Sequence, residues 1–325
     1  MSFKVRIEQF DREIVVEPGQ TILECALFEG IDYPFACQQG QCGSCKSQLI
    51  AGNVFMHPGY NPMALPEAER ARGMILACQA QPQADCVVSV VAIDGRIVHP
   101  ERRLRCTVTG SFAAGRAARI VTLRIDTGGP FNFEAGQCVV LTMPDMSEQA
   151  LGVASRPIDP FIELHLDPTA GNCPVRATVA VRGPYGDAYL HDEHVGPMLA
   201  IARGTGLAPI VSIVASALAI GMRQRIHLYI AAAPGADHYY LDRLGELAAR
   251  HANLIVKTVP TVTANEADGA TDLVEAVGRD FASLAAYRVY VAAPVGERTR
   301  LQELAIERGM LPEHWAACSP EPSTG

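Results

Sequence analysis

Apolar and charged residues alternate from the start of the chain. VRIEQF and EIVVEP repeat with a period of two, which predicts a hairpin, and TILECALFEG then changes to the spacing of a short helix. CKSQLIAG and CVVSVVA return to strand character, so residues 1–95 read as a small mixed sheet with one helix. VAIDGRIVHPERRLRC reads as a linker. Beyond it, CTVTGSF, IVTLRID, QCVVLTM, FIELHL and ATVAVRG form short strands separated by turn residues, the texture of an antiparallel barrel over 103–194. From 195 to 325 the pattern changes again. PMLAIARGTGLAP predicts a strand, a glycine turn and an apolar helix. RIHLYIAA, YYLDRLGELAARH, LIVKTV, YRVYVAAP and LQELAIERG then alternate strand and helix as a parallel α/β sheet does. The expected architecture is therefore multidomain α+β, with three domains, 1–95, 103–194 and 195–325.

A length of 325 residues agrees with more than one core, and a composition 49% hydrophobic and 19% charged is that of an ordinary globular protein. The first residues lack a basic segment followed by an apolar one, so no secretory signal is read and a cytoplasmic location is expected. The longest apolar run, APIVSIVASALAIGM, is shorter than the ~20 residues of a membrane helix and reads as a buried helix. With 35 acidic and 27 basic residues the formal charge is −8, which disfavours direct binding to nucleic acid.

Ten cysteines without an export signal point to metal rather than to disulfides. Cys37, Cys42 and Cys45 form C-x4-C-x2-C, and Cys78 follows Cys45 after 32 intervening residues, the plant-type [2Fe-2S] spacing. Zinc sites more often use two separated C-x2-C pairs, and only one is present. Gly40 and Gly43 can supply the positive-φ turns that a loop around a cluster needs, and backbone N–H groups from Gln38 to Ser44 can donate to its sulfurs. Cys25, Cys86, Cys106, Cys138, Cys173 and Cys318 have no such spacing and read as small buried apolar residues.

By pattern and element order, residues 1–95 resemble a β-grasp plant-type ferredoxin domain. In that family Cys37 and Cys42 would ligate one iron, and Cys45 and Cys78 the other. The order ferredoxin, barrel, nucleotide-binding-type α/β domain resembles the reductase components of ring-hydroxylating dioxygenases, of the naphthalene dioxygenase reductase type. FNFEAGQ, VRGPYGDAYL, GPMLAIARGTGLAPIVSIV, LYIAAAPGADHYYLDRL and LPEH carry this likeness over nearly the whole chain. The resemblance implies that NADH reduces FAD, which passes electrons singly to the [2Fe-2S] cluster and on to an oxygenase or a small ferredoxin.

The chain departs from that family where the cofactors would be held. At the positions of the family's Arg-x-Tyr-Ser flavin motif stand Gln149, Leu151 and Gly152, so a cation, an aromatic lid and a hydroxyl are replaced. DPTAGNCPVRATVA is too short for the glycine-rich helix start that cradles the FAD pyrophosphate. Arg156 could compensate as a cation, or be a solvated loop charge. Gly204, Thr205 and Gly206 remain, either as a phosphate-binding turn or only as the tight strand-to-helix turn of the fold. The family's Gly-x-Arg becomes Ala231-Ala232-Ala233, and its Cys-Gly-Pro-Pro-x-Met becomes AAPVGE, which brings in Glu297. Losing a charge-assisted bond to each cofactor would weaken each by about ten- to a hundredfold. Gly136, Gln137, Gly183, Pro184 and Gly186 persist as turn framework, with Gly136 and Gln137 also candidates to line the flavin site. These losses lead to the expectation of a [2Fe-2S] electron-transfer protein with impaired NAD(P)H oxidation and a redox-sensing or regulatory role in aromatic-compound degradation. Its partner would be a transcriptional regulator, a small ferredoxin or an oxygenase. The competing expectation is an NADH-dependent flavoprotein reductase component.

Overall fold

A computed structural model describes residues 2–318 apart from 32, 36, 94–95, 98, 100, 130, 168, 170, 172, 233–239 and 261–272. The chain divides into two compact units, one of residues 1–102 with 129–132, the other of residues 103–128 with 133–325.

In the first unit the opening alternation becomes β1 (Phe3–Ile7) and β2 (Arg12–Val16), an antiparallel hairpin, followed by α1 (Ile22–Phe28). Thr21 caps α1 through a reciprocal box with Glu24, which satisfies two of the helix's orphan donors. Then come β3 (Lys46–Ala51), β4 (Val54–Met56), α2 (Glu67–Arg70), β5 (Met74–Leu76), β6 (Ala80–Pro82), β7 (Cys86–Val90) and a short hairpin of β8 (Ala92–Ile93) and β9 (Arg96–Ile97). The main sheet runs β2-β1-β7-β3-β5, with β1 and β7 parallel and the other pairs antiparallel. The inward positions Val5, Ile7, Ile14 and Val16 join Ile22, Leu23, Val88 and Val90 in one core, as a β-grasp sheet packed on its helix requires.

The second unit begins with β10 (Arg102–Ala114), β11 (Ala118–Thr127), β12 (Cys138–Thr142), β13 (Glu148–Gly152), β14 (Ile162–Leu166) and β15 (Thr178–Tyr185). Their order is β13-β12-β15-β10-β11-β14. A bridge from Val153 to Leu164 and a bond from the Ala154 N–H to the Glu163 carbonyl (2.8 Å) bring the two ends together into a nearly closed antiparallel barrel. The stretch read as a linker is partly strand, since β10 takes its last residues; four of its residues lie outside the described set.

The remaining elements are β16 (Met198–Arg203), α3 (Leu207–Ala219), β17 (Ile226–Ala232), α4 (Leu241–Arg250), β18 (Leu254–Pro260), α5 (Leu273–Asp280), β19 (Arg288–Ala292), α6 (Val295–Glu307) and β20 (Trp315–Ala317). The sheet is parallel, in the order β18-β17-β16-β19-β20. Its inner strands β16 and β19 are apolar on both faces because helices cover both. Ala200, Ala202, Leu228 and Ile230 meet α3 and Leu244 of α4, while Leu199, Ile201, Val289 and Val291 meet α5 and α6. Ala118, Ile120, Ala135 and Ala188 of the barrel portion belong to the same buried cluster as α3, so barrel and α/β portion share one core. The apolar run read as a buried helix is α3, and no helix among the described residues is long and apolar enough to cross a membrane.

Candidate functional site

The loop from Cys37 to Cys45 lies between α1 and β3, and Cys78 sits in the turn after β5. Gly40 (φ +73°) and Gly43 (φ +78°) occupy left-handed backbone, and a Cβ at Gly40 would lie 2.8 Å from Cβ of Tyr60. Glycine is required there by both conformation and space. The turn aims amides at sulfur: the N–H groups of Gln39 and Gln41 donate to the Cys37 Sγ at 3.4 and 3.3 Å, and the Cys37 N–H donates to the Cys42 Sγ at 3.5 Å. The thiols associate two and two, Cys42 with Cys37 and Cys45 with Cys78. Among the described residues no three metal-binding side chains converge on one point. Two pairs suit a two-iron core, in which each iron takes two cysteines, better than one tetrahedral ion.

Electrostatics favour thiolate at one member of each pair. The partial burial of Cys42 raises its pKa, but hydrogen bonds from Ser44 and Cys37 outweigh this and bring it down to about 6. Cys78 is lowered by the bond that Cys45 donates to it, against an opposing contribution from burial, and Cys45 as donor is raised. Cys45 and Cys78 are buried, Cys37 is half-buried and Cys42 exposed, so one pair faces the core and the other solvent. The six remaining cysteines are buried and uncharged; burial pushes Cys106 and Cys138 up to about 12.

At the carboxyl ends of the parallel strands the chain leaves β16 through Gly204-Thr205-Gly206 into α3. Gly204 has φ +56° and open space where a Cβ would be, whereas a Cβ on Gly206 would lie 2.6 Å from the Ala292 carbonyl oxygen. Gly206 therefore serves the packing of the turn on β19, and Gly204 supplies the left-handed backbone that leads the chain into α3. In the barrel, Gln149 and Leu151 pair with Leu141 and Val139 of β12, and a Cβ on Gly152 would lie 2.2 Å from the ring of Pro209. No side chain larger than hydrogen fits at 152 while Pro209 stays in place. Gly136 abuts the Ala188 carbonyl oxygen, where a Cβ would come within 2.7 Å. The Gln137 side chain accepts from the Glu134 N–H (2.7 Å) and donates to the Gly186 carbonyl (2.9 Å). Both shape turns, and the Gln137 amide is engaged within the fold. Arg156 forms an ion pair with Asp159 inside its own turn (2.7 Å), which fits a loop charge. Among the described residues no helix lies between Leu166 and Thr178. Ala233 lies outside the described residues.

A model of the 2Fe-2S iron-sulfur cluster binding domain matches residues 5–83, and one of the oxidoreductase NAD-binding domain matches residues 200–296. Over 98% of both chains the sequence is 32% identical to the ferredoxin–NAD(P)+ reductase component of the naphthalene 1,2-dioxygenase/salicylate 5-hydroxylase systems of Ralstonia sp.. The chain belongs to the ferredoxin–NAD(P)+ reductase components. Another relative, the reductase component of the naphthalene 1,2-dioxygenase system of Pseudomonas putida, is 30% identical over 95% of both chains. The crystal structure of Amycolatopsis cytochrome P450 reductase GcoB superposes with a TM-score of 0.62 at 32% identity, covering 99% of this chain and 100% of that one. This reductase is thus an electron-transfer protein with 2Fe-2S and NAD-binding domains, and the likeness to dioxygenase reductases read from its motifs holds.

Two features of the reductase were not read from sequence as sites. Arg203, the last residue of β16, makes a two-pronged ion pair with Glu297 in the first turn of α6 (both contacts 2.6 Å). Glu163 of β14 is buried in the barrel and accepts from Tyr240 Oη (2.8 Å), Arg243 (3.0 Å) and His165 Nε2 (3.2 Å). Burial alone would raise the Glu163 carboxyl, but the bonds from His165 and Tyr240 and the charge of Arg243 hold it at about 2. Burial lowers the His165 ring more than Glu163 raises it, so His165 is neutral at neutral pH. A sequence signal for this network did exist: FIELHL carries two ionisable residues at alternate positions of a strand whose five residues are all buried.

Proposed function

We propose that this chain is the NAD(P)H-dependent reductase component of an oxygenase system acting on aromatic compounds. Cys37, Cys42, Cys45 and Cys78 hold a [2Fe-2S] cluster in the portion 1–95, the barrel portion 103–194 takes a flavin, and the α/β portion 195–325 takes the nucleotide. The two-and-two grouping of the thiols carries this reading, set in a chain that corresponds from end to end with reductase components. These relatives favour the reductase component over the redox-sensing role expected from the altered motifs, and they support an oxygenase or ferredoxin partner rather than a transcriptional regulator.

The residues present fit each cofactor differently. The cysteine loop fits a cluster through its paired sulfurs, its donating amides and its required glycines. The β16 turn fits a phosphate through Gly204 and the start of α3. Toward a flavin, β13 would offer Leu151, backbone groups and the polar side chain of Gln149, with neither cation nor hydroxyl where the family's motif carries them. A flavin, when bound, supplies the conversion of a two-electron donor into single electrons. The protein's own part is to hold two thiols in the core and two nearer the surface, and to present the glycine turn after β16 at the start of α3.

Anaerobic purification, metal and flavin quantification, and titration with NADH and NADPH test this proposal. The expected result is two irons and one flavin per chain, bleached by micromolar nucleotide, with onward reduction of a plant-type ferredoxin. A fully loaded protein that no nucleotide bleaches would overturn it in favour of a redox sensor.

A further inference from the structure

In an open parallel sheet, ligands bind in the crevice beyond the carboxyl ends of the strands, where the chain connections leave in opposite directions. Here that point lies between β16 and β19, because β16 is flanked by β17 on one side and β19 on the other. The strands of this sheet end on Arg203, Ala232, Pro260, Ala292 and Ala317, so among the described residues that close these strands Arg203 is the one cation, at the switch point itself. It is bridged to Glu297, whose side chain is only 10% exposed, whereas that of Arg203 is 32% exposed. A buried carboxylate at the mouth of an anion site opposes the binding of an anion.

We propose that Arg203 is the residue that grips the diphosphate of the pyridine nucleotide, and that Glu297 is an internal competitor holding the same guanidinium until nucleotide arrives. The inference rests on the nucleotide-dependent reading above. A guanidinium presents the same planar fork to a carboxylate and to a phosphate, so the exchange keeps the geometry and replaces a monoanion by a group of higher charge. Gly204 directly follows Arg203, and a Cβ there would meet no described atom within 4 Å, which suits the approach of a phosphate next to the released side chain. A positive charge at the end of β16 would also make up for Ala233, which stands where the family's Gly-x-Arg has its arginine. Glu297 then lowers affinity twice, by occupying Arg203 beforehand and by repelling the phosphate afterwards.

The test is equilibrium binding of NAD+ and of ADP-ribose to the full chain by calorimetry, together with NADH titration of the loaded protein. Glu297→Gln is expected to tighten ADP-ribose by about tenfold and Arg203→Ala to weaken it by about tenfold, the scale of one charge-assisted contact. In the double variant the gain from Glu297→Gln should disappear, because there is no longer a guanidinium to release. Arg203→Lys, which keeps the charge without the fork, should weaken binding by about threefold and decides the matter if Arg203→Ala does not fold. If Arg203→Ala or Arg203→Lys binds as tightly as the unaltered protein, the inference falls while the reductase reading stands. If neither the unaltered protein nor Glu297→Gln binds any pyridine nucleotide, both fall.

Discussion

Replacing Glu163 by glutamine removes a buried charge from a network that joins the barrel to α4. The carboxylate is 5% exposed and its pKa is held at about 2, against an ordinary value of 4.5. A depression of that size corresponds to about 3 kcal/mol of stability at neutral pH, and this is an upper bound because the neutral His165 contributes a hydrogen bond but no charge. Glu163→Gln should therefore cost about 2–3 kcal/mol at pH 7.5, leaving Arg243 without its anion. The sign of the pH dependence follows from the depression. The contribution is complete above pH 4.5 and is lost as pH falls toward 2, so by pH 3.5 the unaltered protein has given up about 1.4 kcal/mol of it while the glutamine variant has nothing comparable to lose. Trp315, the chain's one tryptophan, lies in β20 of the second unit and reports on that unit directly. Urea unfolding followed by its fluorescence at both pH values gives the comparison. A gap under 0.5 kcal/mol at pH 7.5, on the order of an ordinary surface substitution, or one that fails to narrow at pH 3.5, would refute the assignment of this charge to stability.

Cys78→Ser should abolish or greatly reduce cluster incorporation, measured as iron per chain and visible absorbance, while Cys318→Ser should leave both unchanged. Gly40→Ala should also deplete the cluster, because the added methyl would meet Tyr60 in a backbone conformation that alanine resists. Gly152→Ser, which restores a hydroxyl where the family has one, should destabilise the second unit by about 1–3 kcal/mol in the Trp315 assay through its clash with Pro209, instead of improving flavin retention.

Much of the fold can be read from periodicity, because most strands are either cleanly alternating or wholly apolar. The hairpin β1 and β2, the barrel strands β10 to β12 and the α/β strands are of this kind. β13 escapes notice because EQALG neither alternates nor runs apolar; its pairing with β12 and the bridge that follows it hold it in place. β20 is three residues long and is a strand only because β19 offers it an edge. The cysteine loop is legible because its chemistry depends on spacing along the chain. Arg203 and Glu297 are 94 residues apart, Arg243 and Glu163 are 80 apart, and nothing local marks either as a pair. The change of texture near residue 195 marks a change of architecture rather than a break in packing, since the two portions on either side of it bury a common set of side chains.

That common core bears on how such a chain can be rearranged during evolution. The first unit, residues 1–102 with 129–132, buries a hydrophobic centre of its own, which leaves its packing a freedom of its own. The barrel and the α/β portion have no such freedom, because parting them would strand Ala118, Ile120, Ala135 and Ala188 on one side and the underside of α3 on the other. They can be inherited only together. A lineage can therefore vary the first unit far more easily than the pairing of barrel and α/β sheet in the second.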